Sequence, residues 1–101
     1  MAINVSKGVA KGFCRINGAG VLHPNHLNVS SVTDSGTGDR TIVWDTDFGN
    51  TDYVIVGSDT GGNQGCTNNY ASFATGSVRL RVRDISNNLQ DFGNSNIAHG
   101  E

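Results

Sequence analysis

The chain has 101 residues, enough for one small domain, and a formal net charge of −2 that gives no electrostatic basis for binding nucleic acid or an anionic membrane. Apolar residues make up 36% of the sequence, while 14 glycines and twelve asparagines favour short strands and turns over long helices. No apolar stretch is long enough for a signal peptide or a membrane-spanning helix. A core this thin is commonly supplemented by contacts between subunits.

The first quarter of the chain predicts a leader followed by one strand. Residues 1–9 form a short leader with spaced apolar residues, which we interpret as an attachment segment, and residues 10–101 form the β-domain. Gly12–Ile16 is the first predicted strand, and Asn17–Gly20 carries the Asn-Gly signal of a tight turn. Pro24, the single proline, indicates a bend or a sheet edge.

The centre of the chain predicts a hairpin and a third strand. Leu27–Thr33 and Arg40–Trp44 are rich in β-branched residues and flank Asp34–Asp39, a polar linker with two glycines that can reverse a β-chain. Tyr53–Val56 is a compact apolar run that ends at a glycine, which indicates a strand covered on both faces. Trp44 is expected in the core; an exposed Trp44 would instead be a platform for a sugar ring.

The second half of the chain predicts two polar loops between short strands. Ser58–Asn69 is a long loop with almost no apolar content, and Tyr70–Ala74 is a short strand after it. Ser77–Arg83 alternates between aliphatic residues and arginines, which is typical of a strand with one buried face. Asp84–Asp91 is a second polar loop, and Asn96–His99 is a last strand. Together these elements predict an all-β fold, a small antiparallel β-sandwich of seven or eight short strands.

Several of these segments, in their order and spacing, resemble the C-terminal domain of bacteriophage tail-fibre proteins. The segments that carry the resemblance are Lys11–Val21, Asn28–Asp34, Gly36–Asp39, Tyr53–Ser58, Val78–Arg83 and Asn96–Gly100. They cover roughly residues 10–100, which is nearly the whole chain. Val21–His26 departs from the family pattern, which usually carries an Ile-Arg-like pair there, and the two long loops match it least.

The resemblance implies a virion structural protein at the tip of a tail fibre or spike. Such a protein would be a homotrimer that binds a host cell-surface glycan, either a polysaccharide or lipopolysaccharide. It would be made in the host cytoplasm without a signal peptide, and residues 1–9 would contact other virion proteins. One alternative is a capsid or tail decoration protein with no receptor role. A weaker alternative is a monomeric carbohydrate-binding module with an exposed aromatic platform.

The receptor surface is expected in Ser58–Tyr70 first and in Asp84–Asp91 second, because long ordered loops are disproportionately functional. The expected contacts are polar side chains and one aromatic ring from these two segments. The candidate receptor-binding residues are Asp59, Asn63, Gln64, Asn68, Asn69, Tyr70, Asn87 and Asn88.

A row of arginines on the predicted strand Ser77–Arg83 is a candidate anion-binding site. Arg79, Arg81 and Arg83 lie on one face at a spacing of roughly 7 Å, which suits acidic sugars or lipopolysaccharide phosphate. The alternative is a solvated strand face, with ion pairs to Asp84, to Asp45 or to a neighbouring subunit.

No metal site or cofactor is predicted. His23 and His26 lack a third protein ligand, and the aspartates between positions 45 and 59 lack the spacing and terminal glutamate of an EF-hand. Cys14 and Cys66 are far apart in sequence, and we expect two free thiols, with a disulfide between them as the alternative.

The chain is also predicted not to be an enzyme. It has no Gly-X-Ser-X-Gly motif, no glycine-rich phosphate loop and no glutamate apart from Glu101. Pairs of aspartates are present, but a sandwich of this size offers little room to bury them and tune their pKa values for glycoside hydrolysis.

Overall fold

The computed structural model describes residues 10–59, 67–84 and 86–100, with the Asp59 side chain left out. The predicted all-β class is confirmed, because these residues form seven antiparallel strands and no helix. The strands are β1 (Gly12–Ile16), β2 (Val29–Gly36), β3 (Asp39–Trp44), β4 (Val54–Asp59), β5 (Thr67–Ala71), β6 (Ser77–Arg83) and β7 (Asn94–His99). Within the described ranges, no helix is long and apolar enough to span a bilayer.

The strands form two sheets that enclose one core. One sheet has three strands in the order β1-β7-β4, and the other has four in the order β2-β3-β6-β5. Both contribute to a cluster of twelve buried apolar residues, as expected for a sandwich whose inner faces interdigitate. That cluster is Cys14, Ile16, Val29, Ile42, Trp44, Phe48, Tyr53, Ile55, Val78, Leu80, Val82 and Ala98. Trp44 therefore belongs to the core and is not an exposed platform.

The predicted β2–β3 hairpin is confirmed, but its strands extend further into the linker than expected. Strand β2 continues to Gly36 and strand β3 begins at Asp39, which leaves a tight reversal with register irregularities. Gly38 has a φ of 63°, and a Cβ there would lie 2.6 Å from the Val82 carbonyl oxygen. Only glycine combines this conformation with so close an approach of backbone.

The alternation of β6 is confirmed side chain by side chain. Val78, Leu80 and Val82 are fully buried, while the arginines between them lie on the outer face. The predicted limits of β1 and β6 match the structure, whereas β7 begins at Asn94, two residues earlier than expected. Asn94 and Asn96 are buried polar residues that bond to each other at 2.8 Å, which is why a polar segment can begin an inward-facing strand.

The prediction that Tyr53–Val56 is covered on both faces is wrong. Tyr53 and Ile55 are buried, but Val54 and Val56 are 60% and 56% exposed. Strand β4 lies at the edge of the three-stranded sheet, and these two valines lie on the outer face of that sheet. The apolar run thus combines a core face with an exposed apolar face.

The limits of β5 also differ from the prediction. The strand spans Thr67–Ala71 and pairs along its length with β6, instead of beginning at Tyr70. It ends where Ser72 adopts a φ of 51°, a conformation that extended chains do not continue through. Backbone pairing with a strong neighbouring strand has overridden the turn-like composition of Thr67–Asn69.

Candidate binding surfaces

One end of the sandwich is closed by a buried arginine and is called the Arg40 end here; it comprises residues 17–20, 36–38, 84 and 86–92. Arg40 has no exposed surface, and its guanidinium donates from Nη1 to the Phe92 carbonyl oxygen at 3.0 Å and from Nη2 to the Gly18 carbonyl oxygen at 2.8 Å. Nη2 also lies 3.4 Å from a carboxylate oxygen of Asp91. One side chain thereby joins strand β3 to two other segments of the chain, at Gly18 and at Asp91–Phe92.

The loop 84–91 is further organised by the Asp84 carboxylate. It accepts hydrogen bonds from the backbone N–H groups of Ser86 at 2.9 Å and Asn88 at 3.0 Å, and from the Gln90 amide at 3.0 Å. These bonds, above all the one from Asn88, hold the pKa of Asp84 below its usual value. Asn87 takes a positive φ of 67°. The described part of the loop therefore has a defined shape that presents exposed Asn87 and Asn88 side chains.

The flanks of the other predicted receptor loop lie at this same end. Strand β4 ends with Asp59 paired to Asn94, and strand β5 begins with Thr67 paired to Arg83. Asn63 and Gln64 lie outside the described residues, as does the side chain of Asp59. The two polar segments singled out in the sequence therefore leave the sandwich side by side.

The three candidate residues of β5 are divided between the two faces of its sheet. Tyr70 pairs with buried Leu80 and is half-buried, and its hydroxyl donates to the Asn96 side-chain oxygen at 2.5 Å, across the gap between the sheets. Asn68, also half-buried, lies on the same face as Tyr70. Asn69 is exposed on the outer face, opposite Arg81. Of the three, Asn69 has the position that a receptor contact needs.

The arginine row forms a basic strip that leads to the Arg40 end. Arg79 bonds both carboxylate oxygens of Asp39, at 2.9 and 2.5 Å, so its partner is neither Asp84 nor Asp45. This contact holds the pKa of Asp39 below its usual value. Arg83 donates to the Asn87 carbonyl oxygen at 3.2 Å. Arg81 has no hydrogen bond or ion pair to any described residue, although its charge contributes to the lowered pKa of Asp39, so its guanidinium is available to an anion there.

A second surface, which the sequence analysis did not identify, lies on the outer face of the three-stranded sheet. It is a cleft of about 560 Å³ between that face and the segment containing His23 and Asn25. The sequence signal was present in β4. Val54 and Val56 lie on either side of Ile55, and side chains alternate along a strand, so these two valines cannot face the core together with Ile55. The cleft is lined by Phe13, Cys14, Arg15, His23, Asn25, Val56, Gly57, Ser58, Ser95, Asn96 and Ile97.

The opposite end of the sandwich is closed by aromatic rings and is called the aromatic end here; it comprises residues 44–53 and 73–77. Phe48 and Tyr53 stack with centroids 4.1 Å apart, and Trp44 meets both rings edge-on at 5.1 and 5.9 Å. Phe73 is 37% exposed, and the centroid of its ring lies 5.2 Å from that of Tyr53. Burial raises the pKa of the Tyr53 phenol.

The chain enters the domain at the aromatic end. The Lys11 N–H donates to the Ala98 carbonyl oxygen at 2.9 Å, and Val54, which starts β4, pairs with His99 at the same end. The proposed attachment segment 1–9 lies outside the described residues. Its point of connection is therefore remote from the two polar loops.

The described residues contain no group of three or more histidine, cysteine or acidic side chains placed to hold a metal ion. His23 and His26 are both exposed. Cys14 is a buried free thiol, and burial raises its pKa to about 11, so it is a small apolar residue at neutral pH. Cys66 lies outside the described residues.

Comparison of the chain with protein-family models, curated proteins and solved structures finds no match.

Proposed function

We propose that this chain is the tip domain of a bacteriophage fibre or spike, which attaches as a homotrimer to a host-surface polysaccharide or lipopolysaccharide. One observation carries the proposal: the chain enters at the aromatic end, while both candidate receptor loops leave the sandwich at the Arg40 end. An attachment domain needs this polarity, with its connection to the virion at one end and its binding surface at the other.

The Arg40 end supplies a rigid base for binding. The buried guanidinium of Arg40 joins the loop 84–91 to the turn at Gly18, and the Asp84 carboxylate fixes the loop from within. A loop that is already ordered loses little conformational entropy when a ligand binds. Weak contacts to individual sugar hydroxyls can then contribute to affinity.

The exposed chemistry of this end suits a carbohydrate. Asn69, Asn87 and Asn88 offer side-chain amides that can donate and accept hydrogen bonds, as sugar hydroxyls require. The available guanidinium of Arg81 lies opposite Asn69 and would pair with a carboxylate or phosphate on the glycan. These contacts involve binding only, and we propose no catalytic step.

Trimer formation completes the proposal. Three copies on one axis would present three equivalent loop clusters to a repetitive polymer, which raises the overall affinity well above that of one site. In this arrangement residues 1–9 contact the neighbouring virion protein, and the location of the protein is the virion surface.

The test is binding of the purified chain to immobilised bacterial capsular polysaccharides and lipopolysaccharides, measured by biolayer interferometry. With a glycan that binds, Asn88→Ala and Arg81→Gln are each expected to weaken apparent affinity by roughly tenfold or more, since each removes a hydrogen-bonding or charged contact. Thr51→Ala and Lys11→Gln, at the aromatic end, are matched controls expected to change it less than about twofold.

Two results would count against the proposal. One is the absence of binding to every surface glycan in a broad panel. The other is equal loss of affinity from variants at both ends, which would show that the Arg40 end has no special role. A chain that fails to bind glycans but binds a capsid or tail protein would instead fit the decoration role.

A further inference from the structure

The outer face of the three-stranded sheet carries two adjacent rows of side chains with different chemistry. Pairing of β1, β7 and β4 places Phe13, Ile97 and Val56 in one row across the sheet. The next row along the strands contains Arg15, Ser95 and Ser58. One row is thus apolar and the other is cationic and hydroxylic, and both line the same cleft.

The apolar row is exposed in a way that core packing does not explain. Val56 and Ile97 are 56% and 38% exposed, although strands with one solvated face usually place polar residues on it. Exposed apolar groups beside polar ones mark binding sites more often than single scattered residues do. The volume of about 560 Å³ also falls within the usual range of small-ligand sites, about 300–1,000 Å³.

The wall of the cleft is held in place by backbone hydrogen bonds. The His23 N–H donates to the Arg15 carbonyl oxygen at 2.8 Å, and Leu27 exchanges hydrogen bonds with Phe13 at 2.9 and 3.0 Å. The Asn25 N–H donates to Nδ1 of His23 at 3.1 Å, so the neutral ring carries its proton on Nε2. The cleft therefore has a preformed wall that includes His23.

The charges in the cleft are of one sign. Arg15 is exposed and makes no hydrogen bond or ion pair with any described residue through its guanidinium. No residue that lines the cleft is an aspartate or a glutamate. A ligand with one negative group would consequently find a guanidinium without a competing carboxylate.

We propose that this cleft binds an acidic monosaccharide unit, a hexuronate or a sialate. Its carboxylate pairs with Arg15, its hydroxyls bond Ser58 and Ser95, and the C–H face of its ring packs on the apolar row. The inference rests on the proposed attachment function for the source of the sugar, which would be a residue of the host glycan. The cleft thus adds a second site, on the side of the domain, to the loops at the Arg40 end.

The experiment is a titration of the full ¹⁵N-labelled chain with sodium glucuronate and with N-acetylneuraminate, followed by amide chemical shifts. Saturable shifts are expected at Arg15, Ser58, Ser95 and Ile97. Glucose, which lacks the acid, and acetate, which lacks the ring, are expected to bind at least about tenfold more weakly. Phosphorylated glucose distinguishes a phosphate-bearing sugar from a carboxylate-bearing one.

A matched pair of variants separates a specific contact from a general charge effect. Arg15→Gln is expected to raise Kd for glucuronate by roughly tenfold or more, through loss of a charge-assisted hydrogen bond. Lys11→Gln removes the same charge just before β1 but outside the cleft, and is expected to change Kd less than about twofold. Both positions carry at least partly exposed side chains, and unchanged spectra away from the substitutions verify the fold.

The inference is overturned if neither acidic sugar gives saturable shifts at the cleft, if the shifts cluster at residues 84–91, or if both variants weaken binding equally. These outcomes are distinct from failure of the attachment proposal. If Asn88→Ala abolished polymer binding and Arg15→Gln left it unchanged, only the proposal that the cleft binds the glycan would be contradicted. If the chain bound the monosaccharide but no surface polymer, only the proposed attachment function would be contradicted.

Discussion

The two ends of this sandwich are closed by different physical means. At the Arg40 end, one buried guanidinium donates hydrogen bonds to the carbonyl oxygens of Gly18 and Phe92 and forms an ion pair with Asp91. At the aromatic end, the rings of Trp44, Phe48, Tyr53 and Phe73 pack against one another. The first closure depends on hydrogen bonds from the two terminal nitrogens of the guanidinium, and the second on buried apolar area.

The difference has a consequence for function. Polar groups that hold a loop from below leave the upper surface of that loop hydrophilic, so it can be both ordered and exposed. Packed rings fasten chain segments but present little hydrogen-bonding chemistry to a ligand. The Arg40 end is therefore suited to binding, and the aromatic end to anchoring the domain.

The largest effect is expected at the aromatic end. Trp44→Ala should lower the free energy of unfolding by about 4 kcal/mol, because it removes a buried ring that contacts Phe48 and Tyr53 and leaves a cavity. Urea unfolding monitored by circular dichroism measures the change. A loss below about 1 kcal/mol would mean that ring packing does not hold this end together.

The polar closure should be nearly as costly to disrupt. Arg40→Leu leaves the carbonyl oxygens of Gly18 and Phe92 without their donor in a buried setting, and we expect a loss of about 3 kcal/mol in the same unfolding experiment. Asp91, which is half exposed, can be solvated by water. Arg40→Lys retains the charge but not the forked geometry of the guanidinium. Its free energy of unfolding should therefore lie between those of Arg40→Leu and the native protein. If Arg40→Leu left the free energy of unfolding unchanged, this result would contradict the role assigned to the guanidinium.

A smaller loss tests the hydrogen bonds of one hydroxyl at the aromatic end. The Tyr53 hydroxyl lies 2.7 Å from the Ala74 carbonyl oxygen and 2.9 Å from that of Ser77, so the two oxygens share its one proton, and it accepts from the Trp44 indole N–H at 3.3 Å. Tyr53→Phe keeps the ring stack and should cost about 1–2 kcal/mol. Phe48→Leu is the complementary variant, since it keeps the hydrogen bonds and removes a ring. If Tyr53→Phe lowered the free energy of unfolding more than Trp44→Ala does, hydrogen bonds and not ring packing would hold the aromatic end together.

The smallest effect is a local dependence on pH that only the Arg40 end should show. The folded pKa of Asp84 is lowered, so the stability that its carboxylate gives the loop is fully present above the unfolded aspartate pKa of about 3.9, and is lost as pH falls through the folded pKa. Hydrogen exchange at the Ser86 and Asn88 amides should therefore accelerate in acid beyond its intrinsic pH dependence. Asp84→Asn should abolish the extra acceleration, and amides near Tyr53 should not show it.

Much of the fold was predictable because strand periodicity is local. The alternation of Ser77–Arg83 and the limits of Gly12–Ile16 follow from side-chain order alone. The same spacing places Arg40 on the face of Ile42 and Trp44, so its burial was implied by the sequence, although charge normally argues for exposure. The start of β5 was missed because Thr67–Asn69 has a turn-like composition and is a strand through pairing with β6.

The candidate surfaces were less predictable because they depend on contacts distant in sequence. Loop length identified Asn87 and Asn88, which are exposed at the Arg40 end, but it gave no reason to separate Asn69 from the half-buried Asn68 and Tyr70. The cleft combines residues from positions 13–25, 56–58 and 95–97. Only the register of three strands brings them together, and no single segment specifies that register.

The most direct test of the attachment proposal is the mass of the purified chain in solution, measured by multi-angle light scattering over a range of concentrations. We expect a species with three times the mass of one chain that persists on dilution, because the proposed fibre tip is a homotrimer. A monomer at every concentration would contradict it.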